Sequence, residues 1–134
     1  MKITAALGLS LFCLAAQAET PQQIRQNYAA EAAHEQPGFT ASAQRGEKFF
    51  RQRFGQNDKM PGCTSCHTDN PMNAGQHAFT GKAIRPMAVA ANGERFSDPA
   101  KTEKWFGRNC KEVVGRACTP GEKADVVAWL SEVR

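Results

Sequence analysis

Residues 63–67, Cys-Thr-Ser-Cys-His, constrain this chain more than any other stretch. Two thiols three positions apart, followed at once by a histidine, form the C-x-x-C-H sequence that attaches c-type haem. Each thiol can add across one haem vinyl group, and the histidine supplies an imidazole nitrogen to the iron. The motif therefore predicts one covalently bound haem c per chain, attached at Cys63 and Cys66, with His67 as the proximal iron ligand.

A zinc site is the alternative use of the same side chains. Cys63, Cys66, His67 and His77 are residue types that bind zinc, and they would make an exported metal-binding module without haem. That interpretation gives no purpose to the histidine directly after the second cysteine. We therefore favour haem.

Residues 1–18 have the features of a secretory signal peptide. Lys2 precedes an apolar run, residues 3–16, and Ala-Gln-Ala at residues 16–18 is a small-x-small cleavage pattern. The run is shorter than the roughly 20 apolar residues that span a bilayer. We expect cleavage after Ala18 and a periplasmic location. Loss of Lys2 lowers the formal net charge from +4 to +3, and without a dense basic run nucleic acid is not an expected partner.

Cysteine usage agrees with export. Of five cysteines, Cys13 leaves with the signal peptide, and the haem takes Cys63 and Cys66. Cys110 and Cys118 remain. Two leftover thiols in an oxidising compartment usually pair, so we predict a disulfide bond between them.

The apolar pattern predicts an all-α domain. Strand alternation of any length is missing, while apolar residues recur at helical spacing and capping residues mark helix starts. Residues 68–93 have no lasting period and are expected to form an ordered loop around the haem edge. We divide the chain into the signal peptide (1–18), an N-terminal helical extension (19–40) and a haem domain (41–134). The predicted helices cover residues 21–33, 41–54, 99–114 and 120–133.

Several residues are candidates for the sixth iron ligand. Met72, His77 and Met87 lie in the long loop, and Met87 is the default choice for an ordinary His/Met electron carrier. The alternative is that the methionines do not bind iron and only fill space around the porphyrin. His34 is interpreted as a surface residue.

Asn109 is the remaining candidate. It shares one helical stripe with Trp105 and Phe106, and a polar residue on an apolar stripe tends to mark a functional site. The structural alternative is a buried asparagine hydrogen-bonded to backbone.

The arrangement of helices resembles the class I cytochrome c fold, in which the helix before C-x-x-C-H crosses the last helix. A narrower set of motifs resembles the family of monohaem cytochromes that contains SHP and cytochrome c″. The resemblance covers about residues 42–131. The segments that carry it are residues 63–71 (CTSCHTDNP), 80–82 (TGK), 94–98 (ERFSD), 109–110 (NC) and 118–123 (CTPGEK).

This resemblance implies a ligand set. In that family the residue just before the first disulfide cysteine is the sixth ligand, either histidine or asparagine. Asn109, followed by Cys110, occupies that position and places the chain in the asparagine branch. The resemblance also implies the Cys110–Cys118 disulfide, and it argues against Met87, which aligns with an ordinary apolar residue.

The resemblance further implies that the sixth ligand leaves when the iron is reduced and that the ferrous haem then binds O2, NO or CO. We therefore expect an electron carrier that exchanges electrons with redox proteins such as multihaem or membrane cytochromes. An enzyme is not expected, because the sequence has no catalytic triad, phosphate-binding glycine loop or paired acids. A His/Met carrier and a dedicated gas-binding or oxygen-reducing haem protein are the alternatives.

Overall fold

The computed structural model describes residues 18–134, so the predicted signal peptide lies outside the described residues except for Ala18. Within this range no helix is long and apolar enough to cross a bilayer. Residues 18–134 form five α-helices, one π-helical turn and two very short strands. The elements are α1 (Pro21–Glu35), α2 (Ala43–Arg51), α3 (Thr64–His67), β1 (Gly75–Gln76), β2 (Ala83–Ile84), α4 (Pro99–Asn109), the π turn (Cys110–Val114) and α5 (Pro120–Glu132).

Helices α2 and α5 cross at the centre of the core. Gly46 and Phe50 are the buried residues of α2, and a Cβ atom at Gly46 would overlap the backbone carbonyl of Asp125 in α5. Val127 and Leu130 of α5 are completely buried beside this crossing. The missing side chain at Gly46 therefore sets how closely the two helices approach.

Helix α1 covers the same core from another side. Its thin apolar stripe of Ile24, Tyr28 and Ala32 is buried, and it packs against α5. The helix begins at a capping box, in which the side chains of Thr20 and Gln23 bond each other's backbone N–H groups. The N-terminal segment thus adds to the core.

Helix α2 ends earlier than its apolar pattern predicts. The pattern extends to Phe54, but the last helical residue is Arg51. The backbone N–H of Phe54 instead donates to the carbonyl of Pro61 at 2.6 Å, which closes the loop that leads to α3. A tertiary contact between residues seven positions apart has overridden the helical period.

Helix α4 begins as its sequence predicts and ends differently. Asp98 caps it by accepting a hydrogen bond from the backbone N–H of Lys101, and Pro99 is its first residue. After Asn109 the chain changes to the π turn, closed by a 3.1 Å bond from Gly115 N–H to the Cys110 carbonyl. The helical path reaches Gly115, which is left-handed with φ 81°.

The long loop contains a small ladder that the sequence did not predict. Strands β1 and β2 are antiparallel, with Gly75 opposite Ile84 and Gln76 opposite Ala83. Each has only two residues, which is too short to show alternation in a sequence. The architecture is otherwise α-helical.

Candidate haem site

The attachment motif forms a single helical turn. Cys63 is the residue before α3, and Cys66 and His67 are its last two residues. The two thiols are not bonded to each other. The backbone N–H of Ala78 donates to the sulfur of Cys66 at 3.3 Å, which ties the loop after β1 to the motif. The motif therefore presents two free thiols and an imidazole from one rigid turn.

The His67 imidazole is neutral and has an unpartnered nitrogen. Its Nδ1 atom is buried and has no hydrogen-bond partner among residues 18–134. Its ring lies 6.0 Å from that of Phe50, measured between centroids. Burial, and then electrostatic interactions with Arg95 and His77, lower the pKa of His67 to about 4. A neutral imidazole is the form that binds a metal.

The backbone beside the motif is packed too closely to accept a side chain at Gly75. A Cβ atom at Gly75 would overlap the carbonyl oxygen of Cys66 and lie 3.1 Å from the Cα atom of His67. Thr68, directly after the histidine, has φ 63° and ψ 167°, a conformation that β-branched residues rarely adopt. Such strain persists only where the surroundings impose it, and here it turns the chain sharply away from His67.

These observations fit a covalently attached haem better than zinc. The donor set consists of two unpaired thiols and a neutral imidazole with an unpartnered buried nitrogen. In the part of the chain that the structure describes, no three His, Cys, Asp or Glu side chains converge to hold a metal ion. His77 therefore does not complete a zinc site with Cys63, Cys66 and His67.

Asn109 lies at a change of helix type. It is the last residue of α4, directly before the π turn and the disulfide between Cys110 and Cys118. The side-chain hydrogen bonds of α4 within residues 18–134 involve Thr102, Glu103 and Arg108, whereas the partly exposed Asn109 amide has none. The alternative of a buried asparagine bonded to backbone is therefore not what the structure contains. π turns occur frequently at functional sites.

Two of the other candidate ligands, His77 and Met87, have structural roles. His77 Nδ1 accepts hydrogen bonds from the backbone N–H groups of Phe79 and Thr80, both at 3.3 Å, and so stabilises its own turn. Met87 packs its side chain against the main core. Met72 is partly exposed next to the buried Pro71, and His34 is exposed near the end of α1.

Sequence reasoning missed Arg95. This partly buried guanidinium donates from Nε to the Pro86 carbonyl at 2.8 Å and from Nη2 to the Arg85 carbonyl at 2.6 Å. It is not among the ion pairs of the described residues. Burial, and then the charge of Arg85, lower its pKa. The site therefore contains a positive charge without an acidic partner, and residue type alone gave no signal of its burial.

Comparison with known proteins identifies the family. Residues 36–130 match a family model described as a domain of unknown function, DUF1924. The chain is 46% identical over 113 residues to the cytochrome c-type protein SHP of Cereibacter sphaeroides, covering 84% of this chain and 83% of the relative. It is 42% identical over 86 residues to cytochrome c″ of Methylophilus methylotrophus, covering 63% of this chain and 60% of the relative.

Solved structures agree with the sequence matches. Oxidised SHP, described as an oxygen-binding cytochrome c, superimposes with a TM-score of 0.77 at 45% identity, covering 85% of this chain and 97% of that one. The crystal structure of oxidised cytochrome c″ also gives 0.77, at 34% identity and 85% and 94% coverage. The predicted all-α, cytochrome c-like fold is confirmed. The chain accordingly belongs to the family of c-type cytochromes that contains SHP and cytochrome c″.

Proposed function

We propose that this protein is an exported one-electron carrier with one covalently attached haem c and a weak sixth ligand, Asn109, that leaves on reduction. A haem held here supplies a one-electron iron couple and, when one axial position is open, a binding site for O2, NO or CO. The observation that carries the proposal is the position of Asn109, which ends α4, adjoins the π turn and has an amide without a hydrogen-bond partner among residues 18–134.

Three groups of the chain would hold the cofactor. The thiols of Cys63 and Cys66 form the thioethers, and burial raises the pKa of Cys63 to about 11, so that thiol stays protonated until it adds to a vinyl group. His67 supplies an imidazole nitrogen, with its ring against Phe50. The unpaired guanidinium of Arg95 is suited to a haem propionate, because a partly buried positive charge gains most from an anionic neighbour.

Asn109 gives the site its expected redox behaviour. An amide oxygen is a hard, neutral and weak donor, so it prefers ferric to ferrous iron. Added electron density on a bound haem iron would therefore weaken the hold of Asn109, and the side chain would be free to turn away. Its NH2 group is then free to donate a hydrogen bond to a small ligand on the same side.

The relatives support this proposal. SHP is described as an oxygen-binding cytochrome c, and the solution structure of cytochrome c″ is described as giving insight into haem-ligand detachment. We extend both properties to this chain. Export to the periplasm rests on the sequence of residues 1–18. The electron-transfer partners would be other redox proteins, such as multihaem or membrane cytochromes.

The decisive experiment is spectroscopy of the purified exported protein in both oxidation states. Haem absorption should remain with the polypeptide after acid–acetone extraction, at one haem per chain. Ferric protein should be six-coordinate with a weak ligand, and ferrous protein should be five-coordinate and take up carbon monoxide. Ferrous protein that is six-coordinate and refuses carbon monoxide would overturn the role of Asn109.

A matched pair of variants assigns the ligand. Asn109→His should convert the ferric haem to a low-spin form, because imidazole is a stronger donor than an amide. Asn73→His introduces the same side chain at an exposed asparagine in the long loop and should leave the spectrum unchanged. Met87→Leu should also leave it unchanged. A spectrum altered only by Met87→Leu would establish the His/Met alternative.

A gas-binding or oxygen-reducing protein is the second candidate, favoured by the description of SHP. Stopped-flow mixing of ferrous protein with oxygen separates the two functions. A stable adduct or rapid turnover indicates dedicated gas chemistry. Simple reoxidation indicates an electron carrier.

A further inference from the structure

One exposed face of α4 and the π turn has a row of cations. Lys101, Lys104, Arg108 and Lys111 are separated by three, four and three residues, which places them along a single helical face. All four are exposed. We call these four residues the basic face.

The basic face has little compensating negative charge. Arg108 pairs with Glu112 at 3.0 Å. The three lysines have no carboxylate within ion-pair distance in the described range. The other acids near α4 are engaged elsewhere: Glu103 bonds Tyr28 and Lys123, Asp98 caps the helix, and Glu94 pairs with Arg85. The face therefore keeps a net positive charge.

Helix stability does not explain the two lysines at the start of α4, although Arg108 in the last turn suits the helix dipole. Lys101 is in the first turn of α4 and Lys104 follows in the second, near the end of the helix that bears the positive pole of the dipole. Cations there are disfavoured, and the preferred residues are Asp and Glu. The first turn of α4 contains no acidic residue. These lysines thus oppose the local preference without gaining an ion pair, which points to a role outside the fold.

The basic face borders the proposed iron ligand. Arg108 directly precedes Asn109, and its guanidinium lies 5.9 Å from the ring centroid of Trp105, one turn before Asn109. Trp105 is 42% exposed, one of only two large apolar side chains so exposed within residues 18–134. Cations next to an exposed tryptophan have the composition typical of protein interfaces, where Trp and Arg contribute most of the binding energy.

We propose that the basic face docks an acidic electron-transfer protein, whose negative surface lies over α4 beside Asn109. This inference rests on the proposed function as an electron carrier. One electron passes from the reduced partner to the ferric iron, so the partner is oxidised by one electron and the Asn109 oxygen leaves as a neutral group. Opposite charges on the two surfaces raise the encounter rate at low ionic strength by about 10- to 1,000-fold.

The test measures reduction of the ferric holoprotein by an acidic carrier, reduced plant-type [2Fe–2S] ferredoxin, in a stopped-flow instrument. Lys104→Glu reverses one charge of the basic face. Lys48→Glu makes the same change at an exposed lysine of α2 that forms no ion pair within residues 18–134. We expect about a tenfold slower second-order rate constant for Lys104→Glu at low ionic strength and less than about a twofold change for Lys48→Glu. The wild-type rate should fall as salt is added.

A cationic reductant, hexaammineruthenium(II), serves as an internal control, because the basic face repels it and the effect of the substitution on the rate is reversed. With this reagent Lys104→Glu should speed reduction. Equal effects of Lys104→Glu and Lys48→Glu, or a wild-type rate independent of salt, would overturn the docking surface while leaving electron transfer intact. A chain without covalent haem, or one that neither reagent nor dithionite reduces, would overturn the proposed function itself.

An anionic membrane is the competing occupant of a basic face. Co-sedimentation with vesicles of phosphatidylglycerol and phosphatidylcholine tests it. We expect the wild-type protein to remain in the supernatant at physiological ionic strength. Sedimentation that is lost in Lys104→Glu, together with unchanged ferredoxin kinetics, would assign the face to lipid and contradict the acidic protein.

Discussion

Tyr28 donates a 2.8 Å hydrogen bond from its hydroxyl to the carboxylate of Glu103, and so joins the N-terminal helix to the helix that ends in Asn109. Lys123 of α5 donates to the same carboxylate at 2.7 and 2.8 Å. The Tyr28 ring also meets Phe106 edge-on at 5.8 Å. Helix α4 is therefore held by both α1 and α5. Since the family model begins at residue 36, this contact involves a helix outside that match.

Removal of the hydroxyl in Tyr28→Phe should destabilise the holoprotein by about 1–2 kcal/mol, since a hydrogen bond to a charged acceptor is lost while the buried ring remains. Urea unfolding followed by circular dichroism measures this change. Glu103→Gln should cost a similar amount, and the double variant should cost less than the sum of the two. Additive losses would show that the two side chains do not interact in solution.

The same contact predicts how stability depends on pH. Burial raises the pKa of Glu103, but hydrogen bonds from Lys123 and Tyr28 outweigh burial and hold it below its usual value. Its contribution is therefore present above the unfolded pKa, near 4.3, and is lost as pH falls through the lower folded value. Burial, and then the Glu103 hydrogen bond, raise the pKa of Tyr28. That contribution is present below about pH 10 and is lost above it.

Denaturation at a series of pH values checks this expectation. Wild-type stability should form a plateau between about pH 7 and pH 10 and decline on both sides, because the lowered pKa of His67 adds a loss that begins below about pH 6.5. Tyr28→Phe should lower the plateau and reduce the alkaline decline, because the titrating hydroxyl is gone. An equal loss of stability at alkaline pH in the wild type and in Tyr28→Phe would contradict the contribution of Tyr28 to the pH dependence.

The starts of α4 and α5 were predictable because their signals are local, whereas α2 begins two residues later than predicted, after its cap Ser42. Thr119 and Glu122 form the capping box at the start of α5, as the sequence indicated, and Asp98 caps α4. The end of α2 was not predictable, because the contact between Phe54 and Pro61 depends on how the loop after α2 folds back. Local chemistry thus defines where helices begin, whereas tertiary contacts decided where this one ends.

The haem site likewise has residues that the sequence predicted and residues that it did not. The haem attachment residues are contiguous, so their motif is readable in one segment. Arg95, Gly75 and the π turn were missed because their roles arise from backbone carbonyls and neighbours that the sequence does not place. Ligation by Asn109 stays a prediction, supported by its position beside the π turn.

Gly46 and Gly107 form a matched pair for testing the helix crossing. A Cβ atom at Gly46 overlaps the Asp125 carbonyl, whereas a Cβ atom at Gly107 in α4 meets nothing within 4 Å. Gly46→Ala should destabilise the protein by about 1–3 kcal/mol or prevent haem incorporation, because α2 and α5 must separate. Gly107→Ala should raise stability by up to about 1 kcal/mol through helix propensity. Thermal unfolding of both variants measures these changes, and similar values would contradict the close crossing.

The Cys110–Cys118 disulfide joins the first residue of the π turn, directly after Asn109, to the segment before α5, with a Cα–Cα distance of 5.6 Å. It is buried with Val114 and flanked by phenylalanines that include Phe106. Loss of this short loop constraint should cost about 2.5 kcal/mol by the chain-entropy relation. The double variant Cys110→Ala/Cys118→Ala tests this in urea unfolding, and wild-type protein treated with dithiothreitol should show a comparable loss, since thioethers resist the reagent.

The ferric spectrum provides a second readout. Because Asn109 directly precedes Cys110, a freed turn should weaken its hold on the iron and raise the high-spin fraction. Unchanged stability together with an unchanged spectrum would show that the disulfide does not position Asn109.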